Sequence, residues 1–255
     1  MRTKLIAGNW KMNLGKTESI TLAGEIRQKA PKTTKSQVLL IPSFVHIDAV
    51  AQVVGKTHLL LGAQDVYYER SGAFTGEVSA EMLLELGVSH VLVGHSERRH
   101  VIGETDAVLN KKVLAASAEK LVVIYCVGET LQERNAGRAA EVILHQLKTG
   151  LANLSHDVIA MGHLVIAYEP VWAIGTGQTA TPAHAQETHA FIRARLSEIV
   201  SPELAGQIRI QYGGSVKKSN AAELLSQPDV DGLLIGGASL IADEFVAIIQ
   251  AAEGV

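Results

Sequence analysis

The sequence predicts an α/β fold, a single (β/α)8 barrel in which eight parallel strands close on themselves inside a ring of helices. Three features of the 255 residues point there. Eight short runs are apolar almost throughout instead of alternating, the pattern of strands covered on both faces in a parallel sheet. Segments of helical period separate them. The polar residues gather just after the C-terminal ends of the runs, where barrels of this kind assemble their chemistry from several strands.

The runs are KLIAGNW (4–10), QVLLIP (37–42), HLLLGA (58–63), HVLVGH (90–95), LVVIYCVG (121–128), HLVIAYE (163–169), QIRIQYGG (207–214) and GLLIGG (232–237). Helical segments include Thr17 to Ala30, Asp106 to Glu119, Arg138 to Leu154, Pro182 to Val200, Asn220 to Ser226 and Ser239 to Ala252. Several open on Thr, Asp, Asn or Ser, residues able to cap a helix N-terminus. A doubly wound sheet is the alternative, but at this length it more often has fewer strands or an appended domain. No linker, charge block or low-complexity tract divides the chain, so residues 1–255 read as one domain.

The composition is that of a globular protein, 47% hydrophobic and 19% charged. A net charge of −3 provides no basic stripe for a nucleic-acid backbone or an anionic membrane. An anionic ligand must therefore be held by local groups. The single cysteine, Cys126, excludes an intramolecular disulfide and fits a reducing compartment. The start MRTKLIAGNWK has no apolar stretch of signal-peptide length, and no run approaches the roughly 20 residues that span a bilayer. The expectation is a soluble, cytoplasmic protein with neither nucleic acid nor membrane as partner.

Glu169 ends the sixth run and is followed by Pro170 and the apolar quartet Val171 to Ile174. A strand-end carboxylate is ordinarily a solvated boundary residue, but one shielded from water becomes a stronger base, so Glu169 reads as a general base. His95, in GHSERR, would alone be a framework histidine; a helix beginning at Ser96 or just after favours a neutral ring that donates to a carbonyl. Asn9 and Lys11, two apart at the end of the first run, face one side by strand periodicity and can stabilise a developing oxyanion. Glycine turns at 175–177, 212–216 and 236–239 offer backbone N–H groups, two of them after the last two strands, where barrels of this kind cradle phosphate. GTGQTA also matches a dinucleotide fingerprint, but it lies five residues beyond its strand and Glu198 falls within a helical pattern. The histidine pairs 95/100 and 184/189 are five apart and do not share a helix face, so no metal motif is read. Cys126 reads as a buried strand residue.

The strings AGNWKMN, SGAFTGEVS, VGHSERR, CVGET, YEPVWAIGTG, QYGGSV and LIGGASL, in order from residue 7 to 240, resemble those of the triosephosphate isomerase family. The resemblance implies a TIM barrel that interconverts dihydroxyacetone phosphate and glyceraldehyde 3-phosphate with no cofactor and no metal. That family is the standard worked case of a carboxylate base beside a neutral histidine under a closing loop, so the following roles come with the resemblance. Glu169 removes the proton next to the carbonyl and gives an enediolate, neutral His95 polarises the carbonyl, and Lys11 and Asn9 stabilise negative charge. The backbone N–H groups of Gly175, Ser215, Gly236 and Gly237 hold the phosphate. Ser96 holds Glu169 in an open resting position, and Glu97 organises Lys11. Residues 170–180 form a lid. The long connection 64–79, apolar at its tip Phe74, docks on a second subunit, with Thr75 reaching towards the partner's Asn9 and Lys11 in a homodimer. Gln178, where lysine is common in the family, and Asp65, where many members carry asparagine, depart from the pattern without touching these assignments. A Schiff-base aldolase would want a lysine at position 169, and a non-catalytic phosphometabolite-binding protein would need neither Glu169 nor His95.

Overall fold

The computed structural model describes residues 2–31, 35–55, 57–174 and 180–255. Eight parallel strands close in sequence order: β1 (Leu5–Asn9), β2 (Gln37–Ile41), β3 (Leu59–Ala63), β4 (His90–Val93), β5 (Val122–Val127), β6 (Leu164–Tyr168), β7 (Arg209–Tyr212) and β8 (Gly232–Ile235). The helices outside them are α1 (Lys16–Lys29), α2 (Ile47–Val54), α3 (Ala80–Glu85), α4 (Asp106–Ala118), α5 (Leu131–Asn135), α6 (Ala139–Gly150), α7 (His156–Ala160), α8 (Pro182–Ile199), α9 (Pro202–Gln207), α10 (Ala221–Leu225) and α11 (Ala242–Glu253). Hydroxyl caps start several of them where the chain turns back from the strands. Thr130 accepts from Glu133 N–H while the Glu133 carboxylate takes Thr130 N–H, and Thr181 and Ser201 cap helices that have proline at the first position. Among the described residues no helix is long and apolar enough to cross a membrane.

Two shells make the core. Leu5, Ala7, Leu39, Ile41, Leu92, Ile124, Cys126, Val165, Ala167 and Leu234 fill the barrel interior. Their neighbours along the strands, such as Ile6, Val91, Val93 and Ile166, pack outward against the helices. Burial on both faces is why the strands read as unbroken apolar runs. The period of two then does something further: continuing the inward row past Ala7, Ala167 and Leu234 brings Asn9, Glu169 and Gly236 to the mouth of the barrel.

The seam between β7 and β8 is thin, with Tyr212 paired to Leu233, whereas β1 and β2 pair over five residues. A buried side chain reinforces it: Gln211 Nε2 donates to Leu233 O at 3.2 Å and to Leu5 O at 3.0 Å, tying β7 to both β8 and β1. Gly232 sits at φ +156° with its backbone against Leu5, and a Cβ there would lie 2.1 Å from Leu5 O. Only glycine fits that approach.

Two buried histidines make the fold sensitive to acid. Burial, with lesser contributions from Arg209 and His163, pushes His90 down from 6.5 to about 3. Burial likewise takes His189 to about 4, and its Nδ1 lies 3.0 Å from Asp229 O. Both rings stay neutral in the folded chain while the unfolded chain binds protons below about pH 6.5. Stability is therefore complete above that pH and falls as pH drops towards 4, by up to about 2.7 kcal/mol per pH unit for two protons. Asp65, pushed up by burial, works in the opposite direction at the acid end. Urea midpoints at pH 7 and pH 5 check this: a clear drop is expected, and an unchanged midpoint contradicts it.

Candidate active site

Glu169 is the first residue after β6, and its surroundings fix it closely. Its N–H donates to Val127 O at 2.8 Å. A Cβ on Gly128 would lie 1.8 Å from Glu169 O, and one on Gly213 would lie 2.9 Å from the Glu169 Cγ, so the glycine that follows each neighbouring strand makes room. The residue is 2% exposed. One carboxylate oxygen, Oε2, accepts the Ser96 N–H at 2.8 Å, and the other, Oε1, lies 3.0 Å from His95 Nε2.

The tautomer of His95 follows from its other nitrogen. Nδ1 accepts the Glu97 N–H at 3.2 Å, because the chain turns into a helical segment directly after the strand. A nitrogen that accepts cannot carry the proton, so the hydrogen resides on Nε2 and points to Glu169.

Lys11 stands across the mouth in the left-handed region, φ +53°, an uncommon conformation for lysine. Three contacts hold it there. Its N–H donates to Asn9 Oδ1 at 3.0 Å, Gln64 Nε2 donates to its carbonyl at 2.7 Å, and its ammonium meets Glu97 Oε1 at 2.6 Å. Glu97 thereby connects the His95 segment to Lys11.

A cavity of about 610 Å³ opens above these groups, lined by Asn9, Lys11, His95 and Glu169 on one side and by Ser215, Gly236 and Gly237 on the other. Ser96 and Glu97 support the lining from behind. Gly175 lies outside the described residues, as do positions 176–179 of the segment expected as a lid. Thr75 is exposed at the tip of the 64–79 connection and does not line its own chain's cavity.

The sequence reading placed Glu129 among the polar residues after the strands but gave it no role, and the structure sets it at the start of the 170–180 segment. Glu129 is wholly buried and accepts from Tyr168 Oη at 3.2 Å and Trp172 Nε1 at 2.9 Å, while its backbone oxygen accepts the Val171 N–H at 3.1 Å. The Arg134 guanidinium stacks over the Trp172 ring at 4.6 Å. The only signal in the sequence was a carboxylate directly after an apolar run, the same signal that drew attention to Glu169. Gln64, which anchors Lys11, carried no signal at all.

A closed parallel barrel with a carboxylate, an imidazole and an ammonium gathered at its C-terminal mouth is the build of the barrel enzymes. Residues 4–252 match the family model described as triosephosphate isomerase. The triosephosphate isomerase of Thermoanaerobacter pseudethanolicus is 48% identical over 250 residues, covering 98% of this chain and all of the relative. That of Chloroherpeton thalassium is 50% identical over 254 residues, 99% of this chain and all of the relative. That of Prosthecochloris aestuarii is 51% identical over 254 residues and 99% of both chains. The chain belongs to the triosephosphate isomerase family.

Proposed function

We propose that this protein interconverts dihydroxyacetone phosphate and glyceraldehyde 3-phosphate through an enediolate, with Glu169 as base and neutral His95 as electrophile. The observation that carries the reading is the 3.0 Å approach of Glu169 Oε1 to a His95 Nε2 that bears its hydrogen. A substrate entering between them breaks that contact. The freed carboxylate then takes the carbon-bound proton beside the carbonyl, while Nε2–H donates to the carbonyl oxygen, where negative charge develops. Return of the proton from Glu169 to the adjacent carbon, with the hydroxyl proton exchanged between oxygens through His95, completes the isomerisation. No electron leaves the substrate, so the cycle needs no co-reactant. The Lys11 ammonium and Asn9 amide face the developing charge, and the N–H groups of Ser215, Gly236 and Gly237, with Gly175 from the lid, hold the phosphate. A coupled isomerase assay tests this. Turnover of either triose phosphate is expected, and none above a Glu169→Gln control would overturn the reading.

The same reading makes the protein a homodimer in the cytoplasm, a setting that suits the single buried Cys126. Support comes from apolar side chains left in the open: Met12, Val45, Phe74, Val101 and Ile102 are all exposed, Met12 by 94%. They sit on the segments after β1, β2, β3 and β4, four consecutive strands, and so share one flank of the mouth. A patch of this kind marks a protein interface. In the dimer, residues 64–79 of one subunit cover that flank of the other and bring Thr75 near the partner subunit's Asn9 and Lys11. Sedimentation at assay concentration is expected to give twice the 27.2 kDa chain mass. A fully active monomer would refute it.

A further inference from the structure

Of the two lysines that line the cavity, Lys11 is paired with Glu97 at 2.6 Å. Lys217 is different: its ammonium has no ion-pair or hydrogen-bond partner among the described residues, although the next residue, Lys218, is paired with Glu244 at 2.6 Å. The exposed Lys217 stem nevertheless starts from a fixed place. Its N–H donates to Asn220 Oδ1 at 2.9 Å, and Asn220 Nδ2 donates to Ser215 O at 3.1 Å, so one asparagine binds the lysine to the turn that carries the phosphate-facing Ser215.

The charges lining the cavity are Lys11 and Lys217 against Glu169 and Glu244, formally balanced with His95 neutral. Without Lys217 the lining is net negative, on a chain that already carries −3. A dianionic phosphate ester approaching such a mouth is repelled by the base that is to act on it. An unpaired ammonium on the phosphate side reverses the local field where the ester enters, and leaves the Glu169–His95 pair untouched.

We propose that Lys217 is a specificity-determining residue: it attracts the phosphate dianion to the Ser215–Gly237 side of the cavity and so selects phosphorylated over neutral substrates. The inference rests on the isomerase reading. It places Lys217 in capture and not in the chemical step, so its effect belongs to kcat/KM and depends on salt.

The test uses the full chain with Lys217→Gln, Lys217→Glu and Lys217→Arg. At low ionic strength kcat/KM for glyceraldehyde 3-phosphate is expected to fall about fivefold in Lys217→Gln and about 20-fold in Lys217→Glu, with kcat unchanged and Lys217→Arg close to the parent. Competitive inhibition by inorganic phosphate weakens in the same order. In high salt the differences shrink to less than about twofold, because the screening length then falls to a few ångström. Slow turnover of unphosphorylated glyceraldehyde stays the same in all four proteins. Equal kcat/KM and equal salt dependence in the parent and Lys217→Gln would overturn the proposal, as would a loss confined to kcat. A parent protein without isomerase activity would refute the underlying function instead, and the two failures are distinct.

Discussion

Glu169→Asp is expected to slow isomerisation on the order of 10²-fold while leaving the protein folded and its affinity for phosphate esters nearly intact. The substitution keeps the charge but draws the carboxylate back by one methylene, a displacement of about 1 Å that is enough for a loss of that size. The structure sharpens the expectation. The backbone of residue 169 cannot follow to compensate, since its N–H is bound to Val127 O at 2.8 Å and Gly128 leaves no slack beside its carbonyl. The shorter side chain also withdraws from Ser96 N–H and His95 Nε2, the two groups that now hold it. Steady-state kinetics on purified mutant, with inorganic phosphate inhibition as the binding control, decides the matter. Parent-like kcat would remove Glu169 from the role of base.

Removing Ile174 to Gly177 is expected to depress isomerisation by on the order of 10²-fold or more, through loss of the Gly175 amide and of the cover over the intermediate. An enediolate left in water can expel the neighbouring phosphate, so the share of turnovers releasing inorganic phosphate and methylglyoxal is expected to rise. The fold is expected to survive. Residues 171–173 are anchored independently of the deleted residues, by Val171 N–H and Trp172 Nε1 on Glu129 and by the burial of Ala173. Circular dichroism, a coupled assay and a phosphate-release assay on one preparation read all three effects. An unchanged partition between product and free phosphate would show that the segment does not seal the site.

The strands were legible because a doubly covered strand leaves a contiguous mark. HLLLGA contains β3 at Leu59–Ala63 and LVVIYCVG contains β5 at Val122–Val127, each trimmed by a residue or two where pairing stops. The long helices were legible by period and cap: Pro182 to Val200 corresponds to α8 at Pro182–Ile199. The short helices α3, α7 and α9 escaped notice because five or six residues display little period, although α10, equally short, lies within the expected Asn220 to Ser226. The segment expected as one helix from Ser239 divides into a 3₁₀ turn, Gly237–Leu240, and α11, because Ile241 is extended at φ −122° and ψ +110°. In the site, Glu169 and Asn9 were reachable from strand parity alone. The contact between Lys11 and Glu97 spans 86 positions and the anchor from Gln64 spans 53, and no local pattern encodes such pairs.

A closed barrel has no sheet edge, and that absence protects it from pairing with other chains. In this protein the closure is thinnest at one line, where β7 meets β8 through one paired residue, the Gln211 amide and two bonds between Ile210 and Asp231, from Asp231 N–H to Ile210 O at 2.8 Å and from Ile210 N–H to Asp231 Oδ2 at 3.0 Å. If that line parts, two strands present bare N–H and C=O groups at once, and a closed ring becomes an open template. Resistance to aggregation is thus concentrated in the few bonds of this line, those of Gln211 and Asp231 among them, and is invisible to an activity assay made before the chain is stressed.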